Sequence, residues 1–327
     1  MPRTLFSPVP PRPPAPPSRD LARVVGGGER WPVRLDGTVS DSAYGDLDRP
    51  PLHEAALQRA LVQEGGLWRE VSVVPETGST NADLAARARE GAPEGTVLVT
   101  ELQTAGRGRL GRPWTAPPRS GLMFSMLLRP AVPVPLLGWL PLLTGVAVAT
   151  AIRRMTAFAE SGERFFGGAD GDVTVDARLK WPNDLLVGDR KLAGILAEKV
   201  DDALIVGVGL NVGLRTEELP VPTATSLAIE GAPLTDRAPL LRAILREMRT
   251  WYGEWTMLGG DPESSGLRTA YKDLCATLGR RVRVELPADE TLEGTARDVD
   301  GSGRLVVEGP RGDVAVNAGD VIHVRGR

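Results

Sequence analysis

Three arginines and three glycines are interleaved in the segment Gly106-Arg107-Gly108-Arg109-Leu110-Gly111-Arg112. Glycine lets the backbone approach a ligand closely and adopt positive φ. Each guanidinium group carries fixed donors that match the oxygens of a phosphate or a carboxylate. No Asp or Glu lies between Gln103 and Arg119. The segment therefore predicts an anion-binding loop, although a solvated surface loop can have the same composition.

The spacing of these glycines formally fits the dinucleotide-binding pattern Gly-x-Gly-x-x-Gly. That pattern also requires a helix at the loop and an acidic residue about 20 positions further on. Here Pro113, Pro117 and Pro118 follow the glycines, and residues 126–135 contain no acid. No Gly-Lys-Ser/Thr follows the glycines. The context therefore argues against both a dinucleotide-binding fold and a P-loop.

A second cluster of candidate residues reads Lys180-Trp181-Pro182-Asn183-Asp184, and Lys191 then begins the apolar stretch 191–196. A lysine at a strand end among apolar residues is a candidate for binding a phosphate or a carboxylate. For this cluster alone, a turn at Asn183 and Asp184 with a solvated Lys191 is an equally good interpretation.

A third group of polar residues, Ser79-Thr80-Asn81, precedes an alanine-rich stretch. Thr80 with Asp83 fits a capping box and Gly91 suits the position after the last turn, so a helix is predicted over about residues 81–90. The hydroxyl and amide groups then lie where the free backbone N–H groups of the helix point. This arrangement predicts a second polar surface for a ligand.

The remaining pattern predicts both helices and strands. The glycine-arginine loop lies between predicted strands at 96–101 and 121–129. Further strands are predicted at 70–74, 173–179, 185–187, 192–199 and 204–212, and helices at 54–63, 136–157, 239–258 and 267–278. After residue 279, short strands at 281–286, 293–299, 304–308, 313–316 and 321–324 alternate with Gly and Asp turns, which predicts a small β-barrel.

Composition narrows the classes of function. The 327 residues carry a net charge of −3, so a general affinity for nucleic acid is not expected. One cysteine and two histidines offer little material for a disulfide, a cysteine-rich metal site or a Ser-His-Asp triad. The longest apolar segment, 132–152, is broken by prolines in its first half. We therefore expect a cytoplasmic protein without a membrane span.

The first 50 residues are rich in proline and glycine. Such a composition cannot bury enough apolar surface to fold, so a disordered tail is predicted over 1–50. An alternative interpretation is that the assigned start of the chain is too early and that translation begins at Val39.

Taken together, the motifs resemble those of biotin protein ligases. They are Ser79-Thr80-Asn81, the run from Gln103 to Trp114, Lys180-Trp181-Pro182-Asn183-Asp184 and Lys191-Leu192-Ala193-Gly194-Ile195-Leu196, in the family's order. The pattern Gly207-x-Gly209-x-Asn211 resembles the family's next motif strand. The resemblance spans about residues 70–325.

The resemblance implies an α+β fold. A central mixed, mainly antiparallel sheet flanked by helices, like that of class II aminoacyl-tRNA synthetases, is expected in a biotin- and ATP-binding catalytic domain over 51–278. A small SH3-like β-barrel is expected over 279–327.

The resemblance also implies an activity. Members of the family join biotin to ATP with Mg²⁺, which gives biotinyl-5′-AMP and pyrophosphate, and transfer the biotinyl group to a lysine of a biotin carboxyl carrier protein or of the biotin domain of an acyl-CoA carboxylase. A lipoate or octanoate ligase or transferase of the same fold is the alternative. Residues 1–69 do not resemble the DNA-binding domain of some relatives, so no nucleic-acid partner is expected, and a homodimer is left open.

The roles of individual residues follow from the same resemblance. Lys191, Arg107 and Arg109 are the expected catalytic residues, and the loop is expected to fold over the adenylate. Biotin is expected to contact Ser79, Thr80, Asn81, Gln103, Gly106, Arg107, Gly108, Arg109, Lys191, Gly194 and Ile195. ATP is expected to contact Arg109, Arg112, Trp114, Lys180, Asn183, Asp184 and Asn211, and a Mg²⁺ ion would arrive with ATP near Asp184.

Overall fold

The computed structural model describes residues 49–157, 174–233, 235–286, 290–317 and 319–324. The predicted disordered tail, apart from its last two residues, and the alternative start at Val39 lie outside the described residues.

A seven-stranded mixed sheet forms the centre of the fold, with the strand order β1-β2-β3-β7-β6-β5-β4. Strands β1 and β2 are parallel, and every other pair of neighbours is antiparallel. The seven strands are β1 (Glu70–Val74), β2 (Thr96–Thr100), β3 (Gly121–Leu128), β4 (Ala177–Lys180), β5 (Asp184–Val187), β6 (Arg190–Val200) and β7 (Ala203–Asn211).

Helices cover both faces of this sheet. They are α1 (Glu54–Leu61), α2 (Thr80–Arg89), α3 (Trp139–Ala157), α4 (Arg237–Met257) and α5 (Leu267–Leu274). Alternate residues of a strand point to opposite faces, and Leu98 and Leu127 pack beneath Leu84 of α2. Their sequence neighbours in β2 and β3 belong to the larger core with α3 and α4.

Helix α3 and the short turn before it, 134–157, are long and apolar enough to cross a membrane by composition alone, but 67% of the most apolar window is buried in the protein. Residues all round the helix are buried, from Trp139 to Thr156. A helix that is apolar all round is expected when it lies inside a core. Burial against the sheet and α4 therefore accounts for its composition.

A second sheet of five antiparallel strands follows, with the order β11-β10-β9-β8-β12. Its strands are β8 (Arg281–Glu285), β9 (Thr291–Val299), β10 (Leu305–Gly309), β11 (Gly312–Val316) and β12 (Asp320–His323). The indole nitrogens of Trp139 and Trp181 donate hydrogen bonds to Gly301 O at 2.9 Å and Gly303 O at 3.0 Å. These bonds fasten the turn between β9 and β10 to the start of α3 and to the end of β4.

The α+β prediction, with a mixed and mainly antiparallel sheet, is confirmed. Three local predictions were wrong. Ser79, and not Thr80, caps helix α2, because the Ser79 hydroxyl accepts from Ala82 N at 3.5 Å while Asp83 accepts from the Thr77 hydroxyl. Strand β4 begins only at Ala177. Helix α5 ends at Leu274 because Cys275 turns extended and pairs with Leu179.

Candidate active site

The start of helix α2 is tied to the beginning of the glycine-arginine loop. Gln103 follows strand β2, and its Oε1 accepts hydrogen bonds from Thr80 N at 2.9 Å and Thr80 Oγ1 at 3.1 Å. Gln103 also forms a parallel bridge with Thr77. Two of the sequence-predicted groups, the helix start and the loop, are therefore held side by side.

The loop folds back on itself between β2 and β3. Arg107 bridges to Pro113, Gly108 N donates to Arg112 O at 2.7 Å, and Trp114 N donates to Gly106 O at 2.8 Å. The chain reverses at Leu110, whose φ is +56°, and at the following glycine. The interleaved glycines therefore build a hairpin-like loop.

Gly106 lies at the base of this loop, where a side chain has no room. A β-carbon on Gly106 would lie 2.6 Å from Trp114 O and 2.7 Å from Gln103 Nε2. Gly106 therefore shapes the loop from behind, and it does not line the cavity described below.

The loop places Trp114 on the surface of the large sheet. Gly194 of β6 and Gly209 of β7 pair across the two strands. A β-carbon would lie 2.4 Å from Trp114 Cε2 if it were added to Gly209, and 3.2 Å from Trp114 Cζ3 if it were added to Gly194. The two glycines therefore form a slot, and this slot is wide enough for the indole because neither glycine has a side chain.

Lys191 lies between this tryptophan and a carboxylate. Its Nζ is 2.7 Å from Asp184 Oδ1 and 5.7 Å from the ring centroid of Trp114. The backbone of Lys191 is held by Thr223 O at 2.7 Å and by Thr225 N at 2.9 Å. The ammonium group is thus fixed at the edge of the slot, and its charge balances that of Asp184.

Two loop arginines reach the small sheet. Arg109 Nη1 donates to Asn183 Oδ1 at 3.2 Å and to Gly319 O at 3.3 Å, and Arg112 forms an ion pair with Asp320 at the start of β12. Burial lowers the pKa of Arg109, while the charge of Asp320 opposes that shift. The small sheet therefore supplies contacts that hold the loop against the large sheet.

Lys180 stands apart from the other predicted cations. It ends strand β4, and burial lowers the pKa of its ammonium group, with Asp184 acting in the opposite direction and Lys191 in the same direction. Lys180 does not line the cavity. Its influence on a ligand is therefore expected through its charge and through Asp184 rather than by direct contact.

These elements enclose a cavity of about 250 Å³. Fifteen of the seventeen residues predicted from the sequence as site residues line it, and only Gly106 and Lys180 of that set do not. Fourteen of the lining members are Ser79, Thr80, Asn81, Gln103, Arg107, Gly108, Arg109, Arg112, Trp114, Asn183, Asp184, Lys191, Gly194 and Ile195. Asn211, also predicted, completes the wall, and its Nδ2 donates to Thr225 O at 2.9 Å. The structure thus brings four separate sequence motifs to one site.

The wall also contains residues that the motifs did not indicate. They are Asp320 of the small sheet and the loop after β7 that contributes Pro220, Val221, Thr223 and Ala224. No local pattern in the sequence marks them, because their role depends on how distant segments meet. An acidic residue at the start of a short strand is too common to serve as a signal.

The two ends of the cavity differ in chemistry. Ser79, Thr80 and Asn81 offer hydroxyl and amide groups beside the apolar walls of Ile195 and Val208. The other end gathers Arg107, Arg109, Arg112 and Lys191, with Asp184 and Asp320 as the balancing carboxylates. Such a cavity suits a ligand with a small polar head, an apolar body and an anionic tail.

The described part of the chain contains no group of three or more His, Cys, Asp and Glu residues that could hold a metal ion. A Mg²⁺ ion that arrives with a nucleotide needs only one or two protein carboxylates, because phosphates and waters supply the other ligands. The carboxylate of Asp184, which lies in the cavity wall 2.7 Å from Lys191 Nζ, fits that requirement.

The chain is similar to known proteins over most of its length. Residues 73–214 match the model of the Biotin/lipoate A/B protein ligase family, and residues 277–324 match that of the Biotin protein ligase C terminal domain. A biotin–[acetyl-CoA-carboxylase] ligase of Mycobacterium tuberculosis is 43% identical over 284 residues, which cover 86% of this chain and 98% of that protein. The bifunctional ligase/repressor BirA of Escherichia coli is 33% identical, with 73% of this chain and 69% of that protein covered.

Among solved structures, the chain is similar to a biotin protein ligase from Aquifex aeolicus in complex with biotin and ATP. The TM-score is 0.62 at 28% sequence identity, and the match covers 79% of this chain and all of that one. The fold, the cavity and the extent of these similarities agree with each other. The chain therefore belongs to the biotin protein ligase family.

Proposed function

We propose that this chain is a biotin–[acetyl-CoA-carboxylase] ligase. It joins biotin to ATP, which gives biotinyl-5′-AMP and pyrophosphate, and then transfers the biotinyl group to a lysine of a biotin carrier protein. The observation that carries the proposal is the convergence of four motif segments on one cavity with a polar, an apolar and a cationic part. Catalysis is assigned to residues 51–278, and support of the loop to residues 279–327.

The polar end of the cavity is assigned to the ring system of biotin. Ser79, Thr80, Asn81 and Gln103 present hydroxyl and amide groups there, and the ureido group of biotin carries both N–H donors and a carbonyl acceptor. A site built from hydrogen-bonding groups rejects ligands that leave those groups unpaired. Gly194 and Ile195 are assigned to the wall beside the biotin ring and chain.

The cationic end is assigned to the reacting groups. A carboxylate that attacks the α-phosphate of ATP must approach a centre that is already anionic, so both anions need to be neutralised and held in line. Lys191, Arg107 and Arg109 are assigned to the biotin carboxylate and the α-phosphate, with Gly106 and Gly108 shaping the loop backbone around them. No protein nucleophile is required for this step.

The nucleotide is assigned to the part of the wall that the loop and β5 share. Arg112, Asn183, Asp184 and Asn211 supply polar contacts, and Trp114 supplies an aromatic face. Mg²⁺ is assigned to the phosphates with Asp184 as its protein ligand, and bound there it would neutralise phosphate charge. Lys180 acts on this region through Asp184 rather than by contact.

Closure of the loop protects the product of the first step. A mixed anhydride is hydrolysed by water, and a covering loop that excludes water prevents that loss until the acceptor lysine arrives. The contacts of Arg109 with Gly319 O and of Arg112 with Asp320 hold the loop over the site. The acceptor is a biotin carboxyl carrier protein or domain, and the reaction is placed in the cytoplasm without a nucleic-acid or membrane partner; a homodimer is left open.

A lipoate or octanoate ligase is the competing function, because the matching family model includes lipoate enzymes. Neither lipoate nor octanoate carries the N–H donors that the polar end of the cavity can pair. Pyrophosphate release is measured with ATP and Mg²⁺ and with biotin, lipoate or octanoate as the only acid. Of the three acids, only biotin is expected to give pyrophosphate release. Release with lipoate or octanoate but not biotin would overturn the proposal.

A further inference from the structure

Three neighbouring strands of the large sheet hold the side chain of Asn81. Ser125 of β3 pairs with Gly207 of β7, and Gly207 pairs in turn with Leu196 of β6. A β-carbon on Gly207 would lie 2.2 Å from Asn81 Oδ1, so the amide occupies the space that the glycine leaves open. The start of helix α2 therefore packs directly against Ser125, Gly207 and Leu196 on these three strands.

Both N–H donors of the Asn81 amide and one of the two acceptor sites of its oxygen are used inside the protein. Its Oδ1 accepts from Ser125 Oγ at 2.6 Å, and its Nδ2 donates to Glu198 Oε2 at 2.6 Å and to Leu196 O at 3.3 Å. These partners lie on two different strands and define one orientation of the amide, with the oxygen towards β3 and the nitrogen towards β6.

The same serine reaches the neighbouring threonine. Ser125 Oγ is 2.7 Å from Thr80 Oγ1, and Thr80 Oγ1 is 3.1 Å from Gln103 Oε1. A hydroxyl has a single proton, so when Ser125 donates to Asn81 it accepts from Thr80, and Thr80 is then bound to Gln103 Oε1 through its backbone N–H at 2.9 Å. Ser125 thus connects both pocket residues to the sheet and, through Thr80, to the base of the loop at Gln103.

Ser125 and Glu198 contact the pocket residues from outside the cavity. Ser125 is fully buried, Glu198 is exposed, and neither residue lines the cavity, whereas Thr80 and Asn81 both do. We infer that Ser125 and Glu198 are positioning residues for biotin recognition, because they fix the orientations in which Thr80 and Asn81 meet the substrate. This inference rests on the proposed function. It predicts that disturbing either residue weakens the biotin end of the site and spares the nucleotide end.

The test measures pyrophosphate release while biotin and ATP are varied separately. Ser125→Ala and Glu198→Ala are each expected to raise KM for biotin about fivefold to tenfold, as for loss of one hydrogen bond within the protein. KM for ATP and kcat are expected to stay within about twofold of the wild-type values. Glu198→Gln keeps an acceptor for Asn81 Nδ2 and is expected to restore most of the biotin affinity. Calorimetric titration with biotin alone gives a readout without turnover.

Thr144→Val is the matched control, because it removes a buried hydroxyl from helix α3, where Thr144 bonds only to Leu140 O at 2.9 Å among the described residues. This control is expected to leave both KM values unchanged. Equal rises in KM for biotin and ATP, or wild-type biotin affinity in both alanine variants, would overturn the inference. If Ser125→Ala does not fold, the KM values for biotin of Glu198→Ala and Glu198→Gln test the inference instead. A wild-type chain that releases no pyrophosphate with biotin overturns the proposed function as well.

Discussion

The indole of Trp114 lies directly on the α-carbon of Gly209, where a β-carbon would be 2.4 Å from Cε2. This contact joins the glycine-arginine loop to the floor of the cavity. It makes the shape of the closed loop depend on the absence of a side chain in strand β7.

We expect Gly209→Ala to displace the indole and to lower the rate of biotinyl-adenylate formation, by up to about 100-fold if the loop shifts by about 1 Å. Gly194→Ala has a milder clash at 3.2 Å and a smaller effect is expected. Gly253→Ala in helix α4 is the control, since no atom within 4 Å would meet its β-carbon. Pyrophosphate release measures all three. Full activity of Gly209→Ala would show that the observed position of Trp114 is not required.

Lys191 is expected to be essential for the first step, because its ammonium group lies between Asp184 and the indole in the cationic end of the cavity. Lys191→Ala and Arg107→Ala are each expected to lower adenylate formation about 10- to 150-fold, the equivalent of about 1.5–3 kcal/mol for a hydrogen bond to a charged group. Circular dichroism is expected to show an unchanged fold. Normal turnover in both variants would refute these roles.

The ion pair of Arg112 with Asp320 is expected to restrain the loop. Asp320→Asn removes the charge that holds Arg112 and opposes the lowered pKa of Arg109. We expect faster tryptic cleavage after Arg107 and Arg109, detected by mass spectrometry. Asp313→Asn, on the exposed face of β11, is the control. Equal cleavage rates in the two variants would mean that the small sheet does not restrain the loop.

A buried ion pair ties the segment before α1 to the large sheet. Arg237 and Glu101 are in contact, Leu52 N donates to Glu101 Oε1 at 2.6 Å, and Arg237 Nη2 donates to Pro50 O at 2.6 Å. Arg237→Met leaves a buried charge unpaired and is expected to lower the free energy of unfolding by about 3–5 kcal/mol.

The control for this stability prediction is the exposed pair of Arg297 and Glu308. Glu308→Gln is expected to change the free energy of unfolding by no more than about 1 kcal/mol. Urea titration measures both variants. A similar decrease in the free energy of unfolding for Arg237→Met and Glu308→Gln would contradict the claim that burial makes the Arg237–Glu101 pair more important for stability.

His323 is expected to make the stability of the fold depend on pH. Its pKa is lowered from 6.5 to about 4, mainly by burial and then by the charges of Lys180 and Arg280. The unfolded chain therefore binds a proton at a higher pH than the folded chain, and stability falls as the pH drops from 6.5 towards 4. His323→Gln should flatten this part of the melting-temperature profile, with His53→Gln as the matched substitution. If the profile of His323→Gln matched that of the wild-type chain, this result would contradict a partly buried, neutral His323 in the folded chain.

Much of the site was predictable because its residues lie in short motifs. A local signal marks the Ser79-Thr80-Asn81 helix start, Lys191 and the loop residues Arg107, Gly108, Arg109 and Arg112, and together these residues line one cavity. The positions of most strands along the chain followed from apolar runs and turns. Local capping was less predictable, because Ser79 and Thr80 are both good caps and Thr80 instead bonds to Gln103 and Ser125.

The remaining features depend on contacts between distant segments. Asp320 joins the site only because the small sheet brings β12 to the loop, and Ser125 matters only because it pairs with Gly207 beneath Asn81. The late start of β4 likewise reflects where its antiparallel partner β5 ends, because Ala177 pairs with Val187. No window of sequence contains both partners of such contacts.

We propose that this chain activates biotin and passes it to a carrier lysine. The most direct measurement is the intact mass of a purified biotin carboxyl carrier domain after incubation with the chain, ATP, Mg²⁺ and biotin. We expect a gain of one biotinyl group, and no gain when ATP is omitted or when the carrier lysine is replaced by alanine. An unchanged mass with biotin, or a gain only when lipoate or octanoate replaces it, would contradict the claim.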